Sequence, residues 1–283
     1  MGGTHPMKRT TLGVLAFVCL LAVLAITPTA ASANHDNSTR PVHPGVQTYT
    51  EGAQCTANFV FRDGSSTYIG QAAHCAGTGA ATETNGCDAG TLPLGTPVEV
   101  GGASRPGTIA YSSWVTMQQN GESNADACAY NDFALVRLDP ADVGRVDPTM
   151  PAWGGPTGLG GSGAMLGDDV YSFGNSSLRG GVSQLGPKQG KVVSSEGNGW
   201  SRTVYTATPG IPGDSGSGFL GESGEAIGTL STVAVAPAPA SNGVADLSHE
   251  LAYARNQGGL GSLTLVNGER AFQANMALAI LGG

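Results

Sequence analysis

The apolar positions of this chain change rhythm twice. They begin as an unbroken run from Leu12 to Ile26, continue from Thr56 to Val235 as short stretches of strand character, and finish with helical spacing. The first run follows Lys8 and Arg9 and precedes Ala31-Ser32-Ala33. A charged start, an apolar middle and a small-residue cleavage site, in that order, make a secretion signal. The run is also shorter than the roughly 20 residues of a spanning helix. Residues 1–33 are therefore expected to be a leader removed on export, Cys19 with it, and residues 34–50 the N-terminal segment of the exported chain.

The middle rhythm belongs to an all-β protein. TANFVF (Thr56 to Phe61), STYIGQAA (Ser66 to Ala73), PVEV (Pro97 to Val100) and DFALVRL (Asp132 to Leu138) are rich in β-branched and aromatic residues and are bounded by Gly, Asp and Pro turns. A second group follows: DDVYSF (Asp168 to Phe173), KVVSS (Lys191 to Ser195), RTVYTAT (Arg202 to Thr208) and AIGTLSTVAV (Ala226 to Val235). The Pro- and Gly-rich stretch from Asp147 to Gly163 separates the groups, which places one β unit at 51–153 and another at 154–283. Helical spacing appears only near the end. Asp246 caps a segment with Leu247 and Leu251 four apart and Gly258-Gly259 as its stop. After a short strand, SLTLV, the residues Phe272, Met276 and Ile280 fall on one helical face of residues 267–283.

Composition agrees with short strands joined by turns: 45 of the 283 residues are Gly and 16 are Pro. The formal charge is −8, and more negative once Lys8 and Arg9 leave. No basic stripe interleaved with aromatics is present, which argues against a nucleic-acid partner, and the acidity argues against anionic membrane surfaces. Four of the five cysteines, Cys55, Cys75, Cys87 and Cys128, lie beyond the leader. Export makes two disulfides their expected use. Four cysteines allow three connectivities, of which we favour Cys55 with Cys75 and Cys87 with Cys128. Zinc is a weak competitor, because no C-x-x-C occurs and His74 directly precedes Cys75; adjacent side chains rarely converge on one tetrahedral ion. Glu122 and Asp126 are the acids a structural Ca²⁺ would use, but loop acids are ordinarily just solvated, and no metal is expected.

The candidate chemistry centres on GDSGSG, Gly213 to Gly218. Gly, Asp and Ser are also ordinary turn residues, so the run carries weight only with partners. A serine hydroxyl is a poor nucleophile near neutral pH and needs a base, usually a histidine oriented by a carboxylate. The candidates are His74 in AAHC, at the end of an apolar strand, and Asp132 in NDFALVRL, opening another. Each alone also reads as a strand-end histidine or a turn cap. Their order, His then Asp then Ser, gives them joint weight.

On AAHC, NDFALVRL and GDSGSG, the chain from Cys55 to the C-terminal helices resembles the chymotrypsin-like (trypsin-fold) serine proteases, particularly secreted bacterial members. The resemblance implies two antiparallel six-stranded β-barrels with the site between them, plus C-terminal helices, with His74 and Asp132 from the first barrel and Ser215 from the second. It implies His74 as general base, Asp132 as its orienting carboxylate and Ser215 as nucleophile. The N–H groups of Gly213 and Ser215 would serve as donors to the developing oxyanion. A disulfide from the AAHC cysteine to one about twenty residues upstream also looks like the family. The implied protein is a secreted, monomeric serine endopeptidase that needs no cofactor and acts on protein or peptide substrates.

Departures from the family pattern also carry information. The Ile-Val-Gly-Gly type of start, whose free amine pairs in many relatives with the aspartate before the serine, is missing. Asp214 then needs another partner, sought among Lys188, Lys191 and Arg202. Ser217 and Gly218 stand where many relatives have Gly-Pro, behind the nucleophile and away from the reacting carbonyl. By the family's count Pro209, six before Ser215, lies at the base of the specificity pocket, and Ser231, Thr232 and Val233 form the wall that pairs with an extended substrate. With no acid at Pro209 and a branched Val233 narrowing the entrance, small or medium apolar residues such as Ala, Val or Leu are expected before the cut. Two other classes share fragments of the pattern. Gly213-Asp214-Ser215 and DLSH (Asp246 to His249) mimic a GDS-type esterase, but too little chain follows Ser215 for its α/β sheet, and Ser217 stands where an α/β-hydrolase elbow needs glycine. His249 then reads as a residue of a surface helix. A non-catalytic protease-like binding protein usually lacks a triad member, and all three are here.

Overall fold

The computed structural model describes residues 1–3, 40–80, 82–161, 165–233 and 240–281, so the expected leader lies outside the described residues apart from its first three. The first group of strands comprises β1 (Gln47–Thr50), β2 (Ala53–Thr56), β3 (Val60–Asp63), β4 (Ser66–Gln71), β5 (Pro97–Val100), β6 (Gly107–Ser112) and β7 (Ala134–Arg137). The second comprises β8 (Asp169–Phe173), β9 (Pro187–Glu196), β10 (Ser201–Thr206), β11 (Gly218–Leu220), β12 (Ala226–Val233) and β13 (Asn242–Asp246), and β14 (Thr264–Leu265) follows. Strand β5 shows how pattern becomes structure. Pro97 and Glu99 face solvent while Val98 and Val100 enter the core, the two-residue period of a half-buried strand.

Strands β8 to β13 close into a six-stranded antiparallel barrel, in the order β10-β13-β12-β11-β8-β9, around Val170, Val192, Val204, Phe219, Leu230 and Val244. The remaining strands form an antiparallel sheet in the order β14-β3-β4-β7-β6-β5-β1-β2 over Val46, Ile69, Val98, Val100, Ile109 and Val136. A third, aromatic cluster draws on both groups of strands: Phe59, Phe61 and Phe133 beside the sheet, Tyr171 and Phe173 of the barrel, and Trp153 from the segment that joins them. Phe61 meets Phe133 edge-on at 5.4 Å and Trp153 meets Tyr171 at 5.0 Å. Such pairs contribute about 0.5–1.5 kcal/mol beyond their buried area. Leu247 and Leu251 of α3 (Leu247–Gln257) enter the same cluster, below the Asp246 cap, whose carboxylate accepts the His249 N–H at 2.9 Å. No described helix is long and apolar enough to cross a membrane.

Three local differences from the sequence reading have physical causes. The barrel has the expected six strands, but the first sheet has eight. TANFVF divides into β2 and β3 around Asn58, whose side chain takes the Phe59 N–H, and β14 pairs with β3 through Thr264 opposite Arg62. Two short helices interrupt the expected all-β run: α1 (Ser113–Asn120), ended by Gly121 at φ 64°, and α2 (Ala125–Tyr130), capped by the Asn124 side chain. The helix expected over residues 267–283 forms only as α4 (Met276–Leu281). Upstream the backbone donates to the segment between the sheet and the barrel instead: Gly268 to Pro156 O, Glu269 to Thr149 Oγ1 and Gln273 to Trp153 O. Phe272 packs edge-on against Tyr171 at 5.1 Å, and Ile280 is left 40% exposed.

Candidate active site

His74 is presented by a short 3-10 turn, Ala73–Ala76, that continues directly from β4. Its neighbour Cys75 is bonded to Cys55 of β2, and Cys87 is bonded to Cys128 of α2. Asp132 sits in the bend between α2 and β7, only 4% exposed. One carboxylate oxygen accepts the His74 backbone N–H at 2.8 Å; the other lies 2.6 Å from His74 Nδ1 and accepts the Ser231 hydroxyl at 2.6 Å. Burial pushes the Asp132 carboxyl up, but the charge and hydrogen bonds of His74, with Ser231, outweigh it and hold the group below its ordinary range. Burial likewise pushes His74 down, and Asp132 more than reverses the effect, so the imidazole binds its proton more tightly than usual. With Nδ1 committed to Asp132, Nε2 is the nitrogen left for chemistry.

Ser215 lies in the turn between Asp214 and β11. Its carbonyl accepts the Thr56 N–H at 2.8 Å, which joins the turn to the end of β2. Gly216, at φ 87°, has to be glycine: a Cβ there would lie 2.7 Å from Thr56 O and 2.8 Å from Ala72 N, two residues from His74. The Gly213 carbonyl is turned toward β2, where Gln54 Nε2 and Thr56 Oγ1 donate to it at 2.9 and 2.8 Å. Among the described residues, neither the Gly213 nor the Ser215 N–H donates to a protein acceptor, while Asp214, Gly216 and Ser217 all do. His74, Asp132, Ser215 and Gly213 line one cleft of about 590 Å³, together with Ser231, Thr232 and Val233 at the end of β12. The side-chain hydrogen bonds of His74 run to Asp132 alone, and none joins it to Ser215 Oγ. In ligand-free sites such bonds are commonly long and tighten on loading.

Asp214 is fully buried and is held by two cations. Lys188 Nζ stands 2.9 Å and Arg179 Nη2 2.5 Å from its carboxylate, which also accepts the N–H groups of Ser176 and Ile211. Burial raises its pKa, and the Lys188 and Arg179 contacts more than offset that, leaving it low. Burial also lowers Lys188 to about 8. Gly174 makes room for the pair, because a Cβ there would lie 2.4 Å from Asp214 Oδ1 and 2.7 Å from Lys188 Cε. Of the three partners considered from sequence, Lys188 is the one in contact. Lys191 instead pairs with Asp169 at 2.9 Å and Arg202 with Asp246 at 2.6 Å. The second cation, Arg179 in the turn SSLRGG, carries no sequence mark of this role: nothing local identifies a lone arginine as counter-ion to a residue 35 positions away.

The remaining candidates divide between the cleft and its surroundings. Pro209 is not among the cleft-lining residues. Its carbonyl accepts Arg179 Nη2 at 3.0 Å and Lys188 Nζ at 3.3 Å, so this position ties the ion-pair cluster to the turn. Asn242, unmarked in the sequence reading, accepts the Gly210 N–H at 2.8 Å and donates to Thr232 O, joining the segment after Pro209 to β12. His249 lies on α3, with Nδ1 2.8 Å from Asp246 Oδ1 and its ring over Trp200 at 4.9 Å, outside the cleft. The Glu122 carboxylate is taken by the Ser123 and Asn124 N–H groups and the Tyr253 hydroxyl, and Asp126 by Asn198. Among the described residues, the group of His, Cys and acidic side chains close enough to share a metal is Cys55, His74 and Cys75, and both cysteines are consumed in their disulfide.

This architecture is similar to that of solved bacterial proteases. Protease A of Thermobifida fusca aligns over 80% of this chain and 99% of its own, with 21% identity and a TM-score of 0.51. The fold is that of the chymotrypsin-like serine proteases. Cellulomonas bogoriensis chymotrypsin aligns over 80% of this chain and 98% of its own at 18% identity and a TM-score of 0.47. No family model matches the sequence, and no curated protein matches it either. In this serine-protease fold the cleft lies where β2, the 3-10 turn after β4, the end of β12 and the Ser215 turn meet.

Proposed function

We propose that the protein is a secreted serine endopeptidase that cleaves peptide bonds through Ser215, His74 and Asp132. The observation that carries the reading is the buried Asp132 bound at 2.6 Å to His74 Nδ1, in the same cleft as Ser215 and the Gly213 and Ser215 N–H groups, which find no protein acceptor among the described residues. His74 Nε2 takes the Ser215 proton as Oγ attacks the substrate carbonyl, and Asp132 stabilises the imidazolium that forms. The oxyanion is received by the Gly213 and Ser215 N–H groups, each donor of this kind being worth about 10²–10³ in kcat. His74 then gives the proton to the leaving amine, and water, activated by the same base, releases the acyl group from Ser215. The leader-like N-terminus and the two disulfides support export.

An extended substrate suits residues 231–233, where β12 runs on past its pairing with β11 and lines the cleft. No Lys or Arg lines the cleft, since Lys188 and Arg179 are spent on Asp214 and Pro209. An acidic side chain before the cut is therefore disfavoured, while the preference for small or medium apolar side chains rests on the branched Val233, since Glu83 and Asp132 also line the cleft. Labelling by a fluorophosphonate, with hydrolysis of a diverse peptide library, tests the whole reading. Labelling and cleavage are expected for the native protein and neither for Ser215→Ala. A native protein that is inert in both assays points instead to a binding protein on a protease fold.

A further inference from the structure

Glutamate is almost never fully buried without a partner of opposite charge. Glu250, in the first turn of α3, is 0% exposed, and no cation among the described residues pairs with it. The Thr229 hydroxyl donates to Oε2 at 2.9 Å, the Asp132 backbone N–H also faces the carboxyl, and Oε1 makes no close hydrogen bond among the described residues. Arg202, the cation at the α3 cap, is engaged by Asp246 at 2.6 Å. Thr229 lies on β12 two residues before Ser231, whose hydroxyl holds Asp132 Oδ2 at 2.6 Å, and Asn58 reaches Thr229 from the other side at 3.5 Å. The carboxyl thus stands behind the catalytic aspartate rather than at the cleft.

We propose that Glu250 is a positioning residue of the triad, fixing through Thr229 the part of β12 from which Ser231 holds Asp132, and that it does so as a neutral acid. The charges around it require neutrality. Across from it is Asp132, on its own helix cap is Asp246 with Arg202 and His249, on β6 is Tyr111, and on α3 itself is Tyr253. α1 and β12, which also pack on α3, carry no titratable side chain. An ionised Glu250 would be a second buried negative charge beside Asp132. Burial, with the Asp132 and Asp246 charges, pushes the carboxyl well above the ordinary range despite the Thr229 bond. Neutral, it leaves Asp132 as the one negative charge behind His74 and still accepts from Thr229.

The proposal rests on the peptidase reading, and its test separates the two. Native enzyme, Glu250→Leu, Glu250→Gln and Thr229→Val are titrated with a fluorophosphonate to count working sites, and kcat and KM are measured per site across pH. Glu250→Leu is expected to lower kcat about tenfold with KM within about twofold, because a shift well under 1 Å is enough to misalign a triad. Glu250→Gln, which keeps the acceptor and the neutral charge, is expected to restore kcat to within about threefold of native. The acid limb of kcat/KM should then coincide with that of the native enzyme. Thr229→Val should lower kcat in the same sense, and it carries the test alone if Glu250→Leu does not fold. Native kcat per site in Glu250→Leu or Thr229→Val overturns the positioning role. An acid limb that moves to lower pH in Glu250→Gln overturns neutrality, since losing a real negative charge would weaken proton binding at His74. A native enzyme that takes no label sinks the peptidase reading and this proposal with it.

Discussion

His74 and Asp132 sit between two covalent staples, Cys55–Cys75 and Cys87–Cys128, on a sheet whose strands are short and whose loops are long. Ser215 has no such help. No cysteine lies beyond Cys128, and its turn is fixed by buried charge: Lys188 and Arg179 on Asp214, with Arg202 on Asp246 behind. The two halves of one cleft are thus built by different means. A disulfide restricts the unfolded chain and is indifferent to pH; a buried ion pair balances desolvation against attraction and fails when either charge is lost. Reductant should therefore weaken the first half and acid the second.

The largest effect expected is the one that ignores the division, because the groups proposed as catalytic would act as a unit. Ser215→Ala or His74→Ala should lower kcat by about 10⁴-fold or more with folding intact, and the double variant should be no worse than either alone. Multiplying losses would mean that the two halves act independently.

Next comes the charge cluster. Asp214→Asn leaves Lys188 and Arg179 without their carboxylate and should cost about 3–5 kcal/mol in denaturant unfolding. Because the native Asp214 pKa is held below its ordinary 3.8, the stability it adds is complete above that value and fades as pH falls through the lower folded value. The native protein should lose this contribution in acid and Asp214→Asn should not; equal acid sensitivity would remove the ionic account of this half.

Removing a staple should cost less. Cys55→Ala with Cys75→Ala leaves the 20-residue loop open and should lose about 2–4 kcal/mol, with a larger loss in the native protein under reductant, which opens Cys87–Cys128 as well. If reductant instead acted on a variant already lacking both disulfides, the contrast between the halves would fail.

The smallest effects are shifts in the pH profile. His74 must be neutral to accept a proton, and Asp132 raises its pKa, so activity should climb with pH through a value above 6.5. An acid limb below that would mean that Asp132 does not govern His74. In the native protein Arg179 keeps Asp214 paired when Lys188, lowered to about 8, gives up its proton. Arg179→Leu leaves Lys188 as the sole cation, with its proton affinity raised by the loss of a like charge. Activity of that variant should decline somewhere above pH 8, while the native enzyme holds; coincident alkaline limbs would show that Arg179 is dispensable.

Legibility divides along a similar line. Strands such as PVEV could be read because alternation is local, and the cap at Asp246 because a carboxylate three residues before an N–H has one obvious use. The segment 267–275 could not be read this way. Its apolar spacing is helical, yet its N–H groups find acceptors at Thr149, Trp153 and Pro156, and a helix there would forfeit them. The α1 and α2 helices leave no periodic signal, because each is shorter than the window in which a 3.6-residue period can be distinguished from chance.

By itself, the sequence determined which residue types were on offer and in what order: a histidine beside a cysteine, an acid at the head of an apolar strand, a serine among glycines. These follow from side-chain chemistry and from neighbours a few residues apart. Only the tertiary structure decided which cation answers Asp214, choosing Lys188 and the unmarked Arg179 over Lys191 and Arg202, and only it placed Glu250 behind Asp132. Counter-ions and buried acids are settled by distances of a few ångströms between segments far apart along the chain, and no periodicity in the sequence encodes them.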